Sequence, residues 1–325
     1  DTWTVEYSTD GLSLAITYMD ATNGWIPTTD DDVTDAPSKG NTEGIFGYGY
    51  TDDNVSITNL VSDAGVVATD TTGVGTARHG PAACEYGGDK GIFGYGNGPV
   101  SITNLVSNAG VVTTDVTGVG TARYRLGACG YGGDKGIFGF GKTTTQVGMT
   151  NLVSNAGVVA TDVTAVGTAR SHLDACEYGE DKGIFGFGDT GSETYVSTTN
   201  LVSNAGVVSS DVTGVGTARK NLAACGYGYD KGIFGFGYTG VSSPVGMTNL
   251  VSNAGVVATD VTAVGTARYN IAATQYGGDK GIFGFGYDDS NYVSTTNLVS
   301  NAGVVGSDVT GVGTARYTLA ACSFN

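Results

Sequence analysis

The chain has 325 residues, 40% of them hydrophobic, enough to bury a sizeable core in one large all-β domain or two smaller domains. Only 14% are charged, and 15 basic against 31 acidic residues leave a formal charge of −16. That balance argues against nucleic acid as a partner, because phosphate affinity rests on clustered Lys and Arg. No apolar run approaches the roughly 18 residues of a membrane span, so no membrane insertion is expected. Asp1 stands where a Met would begin a chain and no signal segment is evident, so a processed or trimmed product is expected.

Residues 1–43 come first and differ from the rest. They contain both tryptophans (Trp3, Trp25) and carry nine acidic residues against one lysine, which is half of the net charge. Trp3–Ser8 and Leu12–Tyr18 read as a β-hairpin around Thr9-Asp10-Gly11, and Thr28–Asp35 as a polar linker.

From residue 44 onward the sequence repeats. Gly-Ile-Phe-Gly begins at Gly44, Gly91, Gly136, Gly183, Gly232 and Gly281, a mean spacing of about 47 residues. Asn-Leu-Val-Ser follows in every unit, then Ala-Arg, with arginines at 78, 123, 170, 219, 268 and 316. A small apolar strand comes after each arginine, such as Leu126–Cys129.

One unit predicts four short strands, here Leu126–Gly132, Gly136–Gly141, Val147–Ser154 and Val158–Val163. The Gly133-Asp134 and Asn155-Ala156-Gly157 turns supply residues that tolerate positive φ. The two-residue strand period places Phe138 and Phe140 on one face, and the intervening glycines keep the backbone thin. Neighbouring sheets are therefore expected to pack aromatic face onto glycine face. Six units of four strands predict an all-β, six-bladed β-propeller of four-stranded antiparallel blades over residues 44–325. The first unit lacks its first strand, and Leu319–Phe324 at the other end supplies one. The expectation is closure of the ring by the C-terminal strand, with residues 1–43 as a short hairpin and linker extension.

Arg, a small apolar strand, a Gly-containing turn and an Ile-Phe-Gly-Phe-Gly strand together resemble the kelch repeat, with Gly-Phe-Gly in place of its double glycine. The fourth strand departs from that family, having Val-Ala-Thr-Asp-Val-Thr where kelch carries a Trp. The stretch Tyr18-Met-Asp-Ala-Thr-Asn-Gly-Trp25-Ile-Pro-Thr-Thr-Asp-Asp-Asp32 resembles segments of virion proteins of tailed phages, especially marine ones. There such segments connect to tail-fibre or other appendage modules, and near-identical Gly-rich repeats are similar to those proteins too. The resemblance implies a virion protein, assembled in the host cytoplasm, that contacts other virion proteins through residues 1–43. A homo-oligomer in the assembled particle is a further expectation.

The six repeated arginines read either as a cationic ring for an anion or, more simply, as blade-to-blade ties to Asp115, Asp162, Asp211, Asp260 and Asp308. The turn aspartates 89, 134, 181, 230 and 279 fit hairpin chemistry better than metal ligation, and no calcium-loop pattern is found. Cys84, Cys129, Cys176, Cys225 and Cys322 share one inner-strand position, with Thr274 as the sixth. They read as buried small hydrophobes and not as disulfides or zinc ligands. No nucleophile elbow, P-loop or dinucleotide context is present, so no catalytic residue, metal or cofactor is assigned.

Comparison of the units with each other marks one face. The 1–2 and 3–4 turns barely change, whereas the 2–3 loops and the residues after each Arg do, and both variable sets belong to the same side. A rigid frame with diversified loops suits recognition, although exposed loops also drift without function. Tyrosines among short polar side chains suit carbohydrate or a protein surface. The candidate ligand-binding residues are Tyr50, Asp52, His79, Tyr124, His172, Tyr195, Tyr238, Tyr269, Tyr287, Asp288, Tyr292 and Tyr317.

The expected function is a non-enzymatic adhesion protein, a phage tail fibre or other appendage binding host-surface glycan or a neighbouring virion protein. Two alternatives remain. One is a glycan-active enzyme using Glu193 with Asp288 or Asp289, and the other is a purely structural capsid or filament decoration.

Overall fold

The computed structural model describes residues 16–20, 24–27, 41–164, 166–240, 244–262 and 264–325. The chain divides into two compact units, Asp1–Ser38 and Lys39–Asn325. In the first, Ile16–Asp20 pairs antiparallel with Gly24–Pro27, Tyr18 opposite Trp25. This hairpin lies further along the chain than the expected one, whose first arm and turn fall outside the described residues, as does the expected linker at 28–35. Tyr18 and Trp25 carry the β propensity here, and they stand directly opposite across the pair.

The second unit is all-β and built of six three-stranded antiparallel sheets. Sheet 1 is Ala320–Phe324, Glu43–Gly47 and Thr58–Val61. Sheet 2 is Ala82–Tyr86, Lys90–Gly96 and Val100–Val106, and sheet 3 is Gly127–Tyr131, Lys135–Gly139 and Thr150–Val153. Sheet 4 is Asp174–Tyr178, Lys182–Gly186 and Thr199–Val202, and sheet 5 is Ala223–Tyr227, Lys231–Gly235 and Thr248–Val251. Sheet 6 is Ala272–Tyr276, Lys280–Tyr287 and Tyr292–Val299. The C-terminal strand does complete sheet 1, with Cys322 opposite Ile45.

The expected fourth strand is absent as a ladder. In sheet 1 the outer segment meets Thr58–Val61 only at two isolated bridges, Val61 with Val67 and Thr58 with Thr71. Between them one strand has an extra residue, which is a bulge. The Asn59 amide fills it, donating from Nδ2 to Ala68 O at 3.0 Å and to Asp70 Oδ1 at 2.9 Å. The same two bridges recur in all six sheets, so each fourth segment is held by a few backbone hydrogen bonds on either side of the bulge, such as Thr71 N to Thr58 O and Ala68 N to Leu60 O, with the Asn side chain filling the gap between them.

Among the described residues no ladder joins one sheet to the next, so the six sheets do not form a closed barrel. They are joined in other ways. Inner strands touch their neighbours in cyclic order, and Ala320–Phe324 contacts both Ala272–Tyr276 and Ala82–Tyr86. Single backbone hydrogen bonds run along the same cycle at one end of the inner strands: Gly87 N to Asp134 O, Gly132 to Asp181, Gly179 to Asp230, Gly228 to Asp279, Gly277 to Thr42, and Asn325 to Asp89. This cyclic order of repeated sheets is compatible with a propeller-like fold.

Packing between sheets follows from the Gly-Ile-Phe-Gly string. A Cβ built on Gly47 would stand 2.7 Å from Phe93 Cζ of the next sheet, and Gly94 meets Phe138, Gly139 Phe185, Gly186 Phe234, Gly235 Phe283 and Gly284 Phe46 in the same way. Each ring therefore lies flat on backbone that only glycine leaves clear. Phe138 and Phe140, expected on one face, lie on opposite faces. Phe138 packs toward sheet 2, whereas Phe140 meets Phe185 of sheet 4 with ring centroids 5.2 Å apart. The cause is a left-handed φ of 62° at Phe140, which breaks the two-residue alternation.

Candidate ligand-binding face

In five of the six sheets the residue after the repeated Arg, just ahead of the inner strand, bridges the first residue of the 2–3 loop in its own sheet. Tyr317 pairs with Tyr50, Tyr124 with Lys142, Ser171 with Asp189, Lys220 with Tyr238, and Tyr269 with Tyr287. Both variable sets thus lie at one end of the sheets. The next residue turns into the left-handed region in every unit: Gly80, Arg125, His172, Asn221, Asn270 and Thr318, with φ from 51° to 62°. Their backbones close a second hydrogen-bonded circle. Arg125 N donates to Gly80 O, His172 to Arg125, Asn221 to His172, Asn270 to Asn221, Thr318 to Asn270, and Gly80 to Thr318, all at 2.8–2.9 Å. Five non-glycine residues hold this costly conformation because every N–H and C=O in the circle is used.

Half of this mouth is aromatic. Tyr238 and Tyr269 lie 5.1 Å apart by ring centroid, Tyr269 and Tyr287 5.5 Å, Tyr287 and Tyr317 6.0 Å, Tyr317 and Tyr50 5.7 Å, and Tyr50 and His79 5.3 Å. Tyr292 stacks on Tyr317 at 4.9 Å and 18°. Seven of the twelve expected residues therefore form one continuous arc across sheets 5, 6, 1 and 2. Burial pushes the Tyr269 phenol up to about 12, with Asp289 and the neighbouring tyrosines adding to it. That hydroxyl stays protonated and can donate a hydrogen bond.

The other half is cationic. His172 is buried, its Nε2 against Arg125 Nη1 and its Nδ1 2.8 Å from Ser171 Oγ. Guanidinium nitrogen only donates, so Nε2 accepts and the ring proton sits on Nδ1. Burial, then Arg125, Lys220 and Lys142, hold the His172 pKa down to about 2, which keeps the ring neutral. Lys220 Nζ reaches Asp189 Oδ2 at 3.5 Å and lies over the Tyr195 ring at 4.6 Å. Arg125 Nε is buried with no hydrogen-bond partner, and its guanidinium lies 5.7 Å from the Tyr124 ring centroid. Tyr124, His172 and Tyr195 thus belong to this sector and not to the arc. Asp52 stands exposed in a loop of sheet 1, and Asp288 accepts the N–H groups of Ser290 and Asn291 as a turn residue. Glu193, exposed in sheet 4, and Asp288 and Asp289 in sheet 6 occupy loops of different sheets.

The circle and the inner strands behind it line an open cavity of about 90 Å³, and a second of about 50 Å³ lies toward the other end. Acidic groups line both. Asp174 takes a position held by Ala or Gly in the other sheets, and Ala224 N donates to its Oδ2 at 2.8 Å. Burial raises Asp174 to about 7, against the opposing pull of the Ala175 and Ala224 N–H groups. Further down, Glu85 and Glu177 meet over Gly130, where a Cβ would collide with Glu177 Oε1. Burial, reinforced for Glu177 by the Glu85 carboxylate, raises both above the ordinary carboxylate range.

Repetition explains the remaining groups. The six arginines are fully buried, so they form no open cationic ring. Arg78 donates from Nε to Tyr95 O at 2.7 Å and from Nη2 to Asn104 Oδ1 at 2.7 Å, and lies 4.0 Å over the Tyr48 ring of the preceding sheet. Asp115 accepts from Thr76 N and Oγ1, fastening the same connection. Each turn aspartate pairs with the lysine after it, as Asp279 with Lys280 at 2.6 Å. The five cysteines are buried free thiols. Among the described residues no three His, Cys, Asp or Glu gather into a metal-binding group.

Sequence reasoning passed over Arg125, Lys142, Lys220 and the inner-strand carboxyls. Asp174 alone carried a clear signal, since the other units have Ala or Gly at its position, whereas Arg125, Lys142 and Lys220 stand at positions that vary from unit to unit. No protein-family model matches the chain, and no curated protein does.

Proposed function

We propose that residues 44–325 form a six-bladed, kelch-like β-propeller, and that the chain is a non-enzymatic adhesion protein of a tailed-phage appendage. Residues 1–43 attach it to other virion proteins, and the face bearing the 2–3 loops and the 4–1 connections binds host-surface glycan. The phage assignment rests on the segment Tyr18–Asp32 and on the near-identical repeats. The binding assignment rests on one observation: the half-buried arc from Tyr238 to His79, fixed by paired strand ends on a frame whose opposite end barely changes from unit to unit. Phenol rings offer an apolar surface and a hydroxyl each, which match the apolar face and the hydroxyl rim of a sugar. Held by backbone bridges, they lose little conformational freedom on binding.

The test is a glycan array and a host-cell binding assay with the full chain, beside Tyr287→Ala and Tyr317→Ala. Binding that falls about tenfold or more in both variants is the expected result. Binding unchanged in both, or attachment to a purified virion protein and to no glycan, overturns the carbohydrate reading. Turnover of host polysaccharide overturns the non-enzymatic one.

A further inference from the structure

The basic residues of this chain are distributed unequally. Six arginines and the five lysines at 90, 135, 182, 231 and 280 recur at fixed repeat positions and are consumed by structure. Four fall outside the pattern: Lys39, Arg125, Lys142 and Lys220. Lys39 lies outside the described residues. The other three, Arg125 and Lys142 from sheet 3 and Lys220 from sheet 5, stand around His172 at the mouth.

Arg125 and Asn221 flank His172 in the hydrogen-bonded circle, and Lys220 precedes Asn221. Lys142 is bridged to Tyr124 beside Arg125. Among the described residues, Asp189 alone of the acidic side chains pairs with this group, through Lys220, so the sector keeps a surplus of positive charge. The surplus sits in a chain of net charge −16, where a general excess of acid would otherwise repel anions. At physiological salt the screening length is about 8 Å, so a ligand in the mouth responds to these neighbours rather than to distant carboxylates. Arg125 also has donor capacity to spare: its Nε is buried and unpartnered, and a buried donor without an acceptor is costly unless something supplies one. Its field reaches across the mouth to both His79 and Tyr317 of the aromatic arc.

We infer that the mouth takes an acidic saccharide, its ring on the tyrosine arc and its carboxylate on Arg125, Lys142 and Lys220. This deepens the glycan-binding reading and rests on it. Arg125 supplies a charged donor for the carboxylate, and the two lysines supply point charge. Neutral His172 contributes no charge but fixes the guanidinium from the other side.

The experiment measures binding of the full chain to a hexuronate-containing oligosaccharide and to its neutral hexose counterpart, in low and high NaCl. The acidic ligand is expected to bind about tenfold more tightly at low salt, since one charge-assisted contact is worth that much. The preference should shrink as salt rises. Arg125→Gln should reduce it, and the less buried Lys142→Gln and Lys220→Gln should each reduce it about threefold or more. Lys135→Gln, in a turn at the opposite end, should leave it as in the parent chain. Equal affinity for the two ligands, with neutral binding intact, overturns the acidic assignment and leaves the glycan reading standing. Binding of neither overturns both.

Discussion

Arg316 donates from Nε to the backbone carbonyl of Tyr48, 268 residues earlier in the chain, at 2.8 Å. Its Nη2 reaches Asn59 Oδ1 at 2.8 Å, and its guanidinium covers the Phe285 ring at 4.3 Å. The five other arginines make the same contacts within short sequence distance, so Arg316 and the strand after it turn a linear array into a cycle. Deleting residues 319–325 would strip sheet 1 of its inner strand and expose Ile45, Tyr48 and Phe93, which pack on Cys322 and Phe324. The deleted chain should lose its cooperative thermal transition or melt at a much lower temperature, read by circular dichroism. A melt matching that of the full chain would show that closure contributes nothing.

Glycine under each phenylalanine sets the spacing between sheets. At Gly139 a Cβ would stand 2.6 Å from Phe185 Cζ, inside a core where the ring has no room to retreat. Gly139→Ala should cost about 1–3 kcal/mol, the usual range for forced overpacking. Phe185→Leu shortens the opposing side chain, so combining the two should cost clearly less than the sum of the separate changes. Urea unfolding of the four proteins closes that cycle, and strict additivity would rule out the contact.

The parts legible in the sequence are those that every unit repeats. The string Gly-Ile-Phe-Gly carries both a ring and the bare backbone that receives the next ring, so the packing could be read from one copy. The phase offset between Gly44 and Leu319 likewise announced the shared sheet. Errors arose where the backbone leaves regular strand geometry. A bulge beside Asn59 interrupts the pairing of the fourth segment, and no strand propensity encodes that an amide will fill it from Ala68 to Asp70. Phe140 turns to the opposite face through a left-handed φ that two-residue alternation cannot anticipate. The mouth was half legible: tyrosines were visible as a class, whereas Arg125, Lys142 and Lys220 are far apart in sequence, at positions that vary in every unit, and have no local spacing to betray them.

The shared cysteine position offers a substitution already present within the chain. Cys84 Sγ lies 2.5 Å from a Cβ built on Gly136, and Thr274 fills the equivalent place over Gly44 in sheet 6. Burial raises all five thiols well above their ordinary range. The native protein should therefore resist a thiol-specific chromogenic reagent at pH 8 and react at five sites once unfolded. Cys176→Thr should change stability by less than about 1 kcal/mol, whereas Cys176→Leu should cost about 1–3 kcal/mol by overpacking against Gly232. Rapid labelling of the folded chain, or equal tolerance of Thr and Leu, would contradict the packing.

Asp174 stands alone among alanines and a glycine on the cavity wall, and its raised pKa makes a signed prediction. A carboxyl whose folded pKa lies near 7, above an unfolded value of 3.8, binds its proton more tightly when folded. Its contribution to stability is complete below the unfolded value and is lost as pH rises through about 7. Above that pH the folded chain carries a buried charge that the unfolded chain solvates freely. Asp174→Asn keeps an oxygen for the Ala224 N–H and removes the charge. A tenfold change in proton affinity corresponds to about 1.4 kcal/mol, and water reaching the cavity reduces what is realised, so a gain of about 1–2 kcal/mol at pH 8 is expected. At pH 4 parent and variant should melt together to within a degree or two, because both side chains are then neutral in the folded chain. Thermal melts of the pair from pH 4 to pH 8 measure the difference directly. A variant that is less stable than the parent at pH 8, or a gap that does not grow with pH, would mean that Asp174 stays ionised and satisfied in the folded chain.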